Sequence, residues 1–130
     1  MIYVTDTHPF LWYISEDERL SKRAASIFDD AENGDVTIVV PTIVLAESLY
    51  LIEEERLLKV KFTDVISKLE IGRNYTTIPL NIKVIKKVEE LKKIRELHDR
   101  IIVASASILN AELITKDKII IKTGYVKTIW

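Results

Sequence analysis

The stretch VTIVV at 36–40 runs straight into Pro41, Thr42 and the apolar run IVLAESLYLI at 43–52, and this junction restricts the fold more than any other. Its β-branched residues suit a pleated surface, and a run with no polar alternation is expected where both faces of a strand are covered. Pro41-Thr42 starts a helix expected to run to about residue 55, with Thr42 as candidate N-cap. A buried strand feeding directly into an apolar helix is the repeating unit of a helix-clad parallel sheet.

The rest of the chain repeats that unit. IYVT (2–5) reads as a strand, TTIPL (76–80), ELIT (112–115) and YVKTI (125–129) as three more. Helices are expected at about 8–14, 21–33, 42–55, 61–72 and 81–96, with a further apolar one opened by Asp99. Ser21 and Asn81 are candidate N-caps, while Gly34 and Gly72 are stops. The expected fold is α/β, a three-layer α/β/α sandwich over 1–130 as one domain, with a mostly parallel sheet of about five strands.

Composition removes several functions. Lys plus Arg number 19 against 20 Asp plus Glu, a net charge of -1. A polyanion would therefore have to be bound through a local patch or through metal ions, since bulk positive charge is absent. With no cysteine, disulfides and thiolate metal sites are excluded. The start, MIYVTDTHPF, lacks the features of a secretory leader, and no apolar stretch reaches the ~18 residues of a membrane span. A cytoplasmic location is the expectation, with no membrane partner. The absence of Gln and the abundance of Ile, Lys and Glu resemble the drift of thermophile proteins.

In parallel sheets ligands gather at the carboxyl ends of the strands. Asp6 follows the first expected strand, Asp117 the strand at 112–115, and Glu47 lies in the second turn of the helix after 36–40. Asp99 begins a helix, and Glu96 stands three residues earlier. Clustered carboxylates repel one another unless a cation holds them. An oxygen-rich, cysteine-free set suits Mg²⁺ or Mn²⁺. Ordinary alternatives stand beside each reading: Asp6 and Asp99 as N-caps, Asp117 as a turn residue, Glu96 as a solvated charge. Glu47 is the least ordinary, because Leu45, Ala46, Leu49 and Ile52 border it and a carboxylate there needs a cation or strong donors. A buried ion pair or an exposed edge is its alternative. His8 and His98 are candidate bases or ligands but read more simply as surface or packing residues. Arg100 is expected to pair with a carboxylate, the lysines of 83–93 to form a solvated face, and Phe10 and Trp12 to be core.

Taken together, VTDTHPFLWYI, VVPTIVLAESLYLI, ELHDRIIVASASILNAELITKD and the closing TIW resemble a PIN-domain ribonuclease of the VapC toxin type, in order along essentially the whole chain. The resemblance implies an Mg²⁺- or Mn²⁺-dependent endoribonuclease with Asp6, Glu47, Asp99 and Asp117 as metal-binding catalytic residues. Glu96 matches an extra acidic position, and Thr7 and Thr115 match polar positions lining the site, with Arg100 a possible accessory. IRELH before Asp99 departs from the Pro-containing acidic turn of relatives, which leaves the role of Glu96 open. An RNA substrate, a cognate antitoxin and a homodimer are further implications, with the stretch from Tyr50 to Leu58 a possible antitoxin surface. The alternatives are a non-catalytic PIN-like scaffold and a phospho-acceptor signalling domain. Against the latter, Asn81 stands after TTIPL where an Asp would be needed.

Overall fold

The computed structural model of the chain describes residues 1–55 and 59–130. Five strands form one sheet in the order β3-β2-β1-β4-β5, from β1 (Ile2–Thr5), β2 (Thr37–Pro41), β3 (Tyr75–Ile78), β4 (Glu112–Ile114) and β5 (Thr128–Ile129). Every pairing is parallel, including Val4 opposite both Val39 and Leu113, and Ile114 opposite Ile129. The expected mostly parallel sheet is thus wholly parallel. Continuous burial of Ile38 to Pro41 and of Tyr3 to Thr5 follows from the apolar, β-branched composition of β2 and β1, two of the three inner strands.

The helices are α1 (Thr7–Ile14), α2 (Lys22–Glu32), α3 (Thr42–Glu55), α4 (Phe62–Ile71), α5 (Ile82–Glu90), α6 (Leu97–Ile108) and α7 (Lys118–Thr123). Packing joins α1 to α4 in one group, while α5 and α6 pack on each other and α6 on β1 and β4, with α6 also meeting α3. Right-handed crossovers require this: the strand order reverses at β1, so helices before and after the reversal fall on opposite faces. The α2 helix shows the pattern that seats it, with Ala24, Ile27, Phe28 and Ala31 buried at helical spacing. Ser21 caps it through Ala24 N–H at 3.1 Å. Among the described residues, no helix is long and apolar enough to cross a membrane.

Several local expectations change. The helix expected over 81–96 ends at Glu90, because the chain turns at Leu91 to bury both Leu91 and Ile94. The new start lies at Glu96, whose carboxylate caps α6 through His98 N–H at 3.1 Å; Asp99 stands in the first turn and is not the cap. Thr42 opens α3 as expected, but its hydroxyl accepts from Leu80 N–H at 3.2 Å. The helix α7 has no counterpart among the expected elements: Asp117 caps it and Gly124, at φ +67, ends it in the left-handed conformation that glycine adopts without steric cost. The run around Glu47 is only partly core, since Val44 and Ser48 are buried while Leu49 and Tyr50 are exposed. Of the Tyr50–Leu58 stretch, residues 56–58 lie outside the described residues.

Candidate metal centre

The reversal of strand order falls between β1 and β4, and open parallel sheets hold ligands outside the carboxyl ends of the strands at such a point. Asp6 follows β1 and Asp117 follows β4, so the two flank it. The α3 helix brings Glu47 to the same edge, and the first turn of α6 brings Asp99. The expected site residues are therefore gathered from four separate parts of the chain.

Two buried threonines tie them together. Thr7 N–H donates to Asp6 Oδ1 at 2.8 Å, and its hydroxyl donates to Glu47 Oε1 at 2.7 Å. The Thr115 hydroxyl donates to Asp6 Oδ2 at 2.7 Å and accepts from Asp117 N–H at 3.1 Å. Glu47, Thr7, Asp6, Thr115 and Asp117 thus form one hydrogen-bonded chain across the sheet edge. The backbone secures it, with Asp6 N–H bonded to Ile114 O at 3.0 Å. Asp6 and Asp117 are also helix caps, Asp117 through Ile119 and Ile120 N–H. The capping reading of these two residues is therefore met, and capping leaves their place at the sheet edge unchanged.

The electrostatics are those of crowded, poorly neutralised acids. Burial pushes the Asp6 carboxyl above its ordinary range against the hydrogen bonds from Thr115 and Thr7, and the Asp117 charge adds to the rise. Burial likewise raises Glu47, opposed by the Thr7 hydroxyl and His98 and reinforced by Asp6 and Glu96. Asp99 is pushed up to about 7, first by burial and then by Asp6, Asp117, Glu47 and Glu96. Among the described residues, no lysine or arginine pairs with Asp6, Asp99 or Asp117.

His98 has acidic neighbours, and Arg100 takes a different place from that expected. His98 is exposed, as expected of a surface residue, and its Nδ1 stands 3.2 Å from Glu47 Oε2 and 3.3 Å from Glu96 Oε1, so it bridges the two acids. Its position one residue before Asp99, on the first turn of the same helix, is the signal that the sequence carries. Arg100 donates its Nε to Ile94 O and, among the described residues, pairs with no carboxylate. The guanidinium therefore fixes the turn before α6 and leaves the acidic charge uncompensated.

The donors are hard oxygens from aspartate, glutamate and threonine, the set that magnesium and manganese take. Uncompensated like charges at one sheet edge would be relieved by a cation. Among the described residues, no three His, Asp or Glu side chains stand close enough together to hold an ion as placed. The hydrogen bonds explain the separation: Glu47 is drawn towards Thr7 and His98, and Asp6 towards Thr7 and Thr115.

No protein of curated function matches the chain by sequence. Solved structures match over nearly all of both chains. VapBC2 from Rickettsia felis, bound to a DNA fragment from its promoter, superposes with a TM-score of 0.72 at 19% identity, covering 99% of this chain and 98% of that one. A toxin–antitoxin complex from Klebsiella pneumoniae gives 0.70 at 15% identity, with 98% and 96% covered. VapBC-5 from Mycobacterium tuberculosis, a member of the VapBC family of toxin–antitoxin systems, gives 0.61 at 17% identity, with 98% and 97% covered. At these identities the likeness is one of fold. The sequence profile of the PIN domain matches residues 3–124, from the first strand to the glycine that ends α7, and the chain belongs to the PIN domain family.

Proposed function

We propose that the chain is a Mg²⁺- or Mn²⁺-dependent endoribonuclease of the VapC type, acting as the toxin of a toxin–antitoxin pair. The observation that carries this reading is the hydrogen-bonded chain Glu47–Thr7–Asp6–Thr115–Asp117 beside Asp99, at the reversal point of the sheet. Membership of the PIN domain family and the fold shared with toxin–antitoxin structures support it.

In this reading Asp6, Glu47 and Asp99 hold the metal, and Asp117 orients a second ion or the attacking water. A bound divalent ion supplies an activated water and stabilises in-line attack at phosphorus. The chain's own residues set the stage for that chemistry. Thr7 fixes one oxygen each of Asp6 and Glu47, and Thr115 fixes the other Asp6 oxygen. Thr115 also holds the backbone at Asp117, so its carboxylate stays at the sheet edge. No side chain of the protein serves as a nucleophile. A cation at this edge also reconciles a chain of net charge -1 with a polyanionic substrate. A cognate antitoxin, a homodimer and a cytoplasmic setting complete the reading.

Incubation of labelled RNA with the chain tests it. Cleavage is expected with Mg²⁺ or Mn²⁺, none in EDTA, and Asp6→Asn or Asp99→Asn is expected to abolish it. Equal cleavage by these variants overturns the assignment. The absence of metal binding in calorimetry would instead favour a non-catalytic scaffold.

A further inference from the structure

Beside the acidic cluster lies an open cavity of about 500 Å³ whose lining joins Asp6 and Asp117 to His8, Trp12, Arg19 and Lys116. Its cations are held in an unusual way. Lys116 Nζ stands 4.7 Å and Arg19 Cζ 4.9 Å from the centre of the Trp12 ring. Trp12 is buried and packs against Trp130 at 6.1 Å, so it is a fixed platform for both. Asp17 orients the Arg19 guanidinium through Nε and a terminal nitrogen at 3.0 and 2.8 Å. Among the described residues, Lys116 and Lys118 have no carboxylate partner, although they directly flank Asp117 in sequence.

The mouth of the cavity carries the complementary chemistry. The His8 ring is exposed and leans on Trp12 at 5.5 Å with 49° between the planes. Ile119, also lining the cavity, is 63% exposed and presents an apolar face there. A ligand fitting this surface carries an anionic group and, a few ångström away, a flat apolar face. A nucleotide has both, and a single-stranded nucleic acid is gripped in this manner by cations along the backbone and stacking under the bases.

We propose that this cavity seats the RNA nucleotide next to the cleaved bond, its phosphate on Lys116, Lys118 and Arg19 and its base against His8 and Ile119. The inference rests on the ribonuclease reading of the adjacent acidic cluster. Trp12 is then a positioning residue, setting two cations at one end of a site whose other end is anionic. The local patch offsets a net charge that otherwise disfavours RNA.

The test is fluorescence anisotropy of a labelled octa-uridylate in EDTA, titrated at several salt concentrations. Lys116→Met, which keeps the apolar stem on Trp12, is expected to weaken binding about tenfold at low salt and to reduce the salt slope by about 0.7 for each phosphate no longer neutralised. His8→Ala is expected to weaken binding several-fold with the slope unchanged, and His8→Phe to restore it. Lys127→Ala, at a lysine paired with Glu112 on the far end of the sheet, is expected to bind like the unaltered chain. Normal affinity and slope in both Lys116→Met and His8→Ala overturn the cavity while leaving the ribonuclease reading intact. Loss of binding in Lys116→Met together with undiminished cleavage by Asp99→Asn has the opposite meaning: the cavity stands and the acidic site falls. Failure of the unaltered chain to bind RNA in EDTA overturns the cavity, and the ribonuclease reading then stands or falls separately on cleavage in Mg²⁺. A hexaglutamate peptide bound as tightly as RNA, with the same dependence on Lys116, assigns the cavity to an acidic polypeptide and overturns the proposal.

Discussion

The Thr115 hydroxyl donates to Asp6 Oδ2 at 2.7 Å across 109 residues of sequence, and it is both donor and acceptor, because Asp117 N–H donates to Thr115 Oγ1 at 3.1 Å. Thr115 is fully buried, so no water takes the place of its hydroxyl when it is replaced, although Asp6 and Asp117 themselves are half-buried. Thr115→Val keeps the shape and loses both bonds. The expected cost is about 1–3 kcal/mol of folding stability, the range for leaving buried polar groups unsatisfied. Loss of a group that orients a metal ligand is also expected to weaken Mg²⁺ binding by about 10- to 100-fold. Urea denaturation and calorimetry measure the two effects, and an unchanged Mg²⁺ affinity would remove Thr115 from the site.

The pH dependence of the metal-free chain follows from Asp99, whose carboxyl is raised from 3.8 to about 7 by burial and its four acidic neighbours. Between those values the folded chain binds more protons than the unfolded chain, so stability falls as pH rises across the window. Its contribution is complete below about pH 4 and lost above about pH 7. Asp99→Asn removes this penalty. At pH 7.5 in EDTA it is expected to raise stability by about 1–2 kcal/mol, the full shift being discounted because the carboxylate is half exposed and screened. With saturating Mg²⁺ the order reverses, since only the unaltered chain is stabilised by the ion. Thermal melts at both conditions check this, and a variant no more stable than its parent in EDTA contradicts it.

The parts of the fold legible in the sequence are those where one physical demand dominates. The run at 36–40 is apolar on both faces and reads as an inner strand, and Ser21 and Asn81 bond the third N–H of their helices as expected. Where two demands meet, the sequence is ambiguous. A carboxylate has two oxygens, so Asp117 caps α7 through Oδ1 while also belonging to the acidic edge, and the two uses leave the same trace. The break after Glu90 is set by the burial of Ile94, a long-range demand invisible in a run of helix-forming residues. The α7 helix is hidden in the sequence because KIIIKT is too short to show a period. The role of His98 shows in the sequence only as its place beside Asp99, because its partner Glu47 is brought to it by the packing of α6 beside α3.

The His98 bridge competes with any cation for Glu47. Its Nδ1 holds Glu47 Oε2 at 3.2 Å, and the imidazole lowers the Glu47 pKa against the burial that raises it. His98→Ala frees that oxygen. Mg²⁺ is therefore expected to bind the variant a few-fold more tightly, an effect of under about 1 kcal/mol, as befits a half-exposed pair. Isothermal titration with Mg²⁺ decides the matter. Weaker binding in the variant would make His98 a supporter of the metal site and not its competitor.

Two glycines separate backbone strain from steric clash. Gly124 ends α7 at φ +67, and a Cβ added there meets nothing within 4 Å. Gly124→Ala therefore incurs only the left-handed penalty, about 1 kcal/mol, and Gly124→Asn less. Gly72 has the opposite problem. Its φ of -64 suits any residue, but an added Cβ would lie 2.2 Å from the Lys68 carbonyl oxygen and 3.1 Å from the Tyr75 ring. That carbonyl accepts the Gly72 N–H at 3.1 Å, so the end of α4 must open before the methyl group fits. The expected loss for Gly72→Ala is about 2–3 kcal/mol, in the range of overpacked sites. Chemical denaturation of the two alanine variants side by side gives the comparison, and a Gly124 variant less stable than the Gly72 variant would refute the account of the α4 terminus.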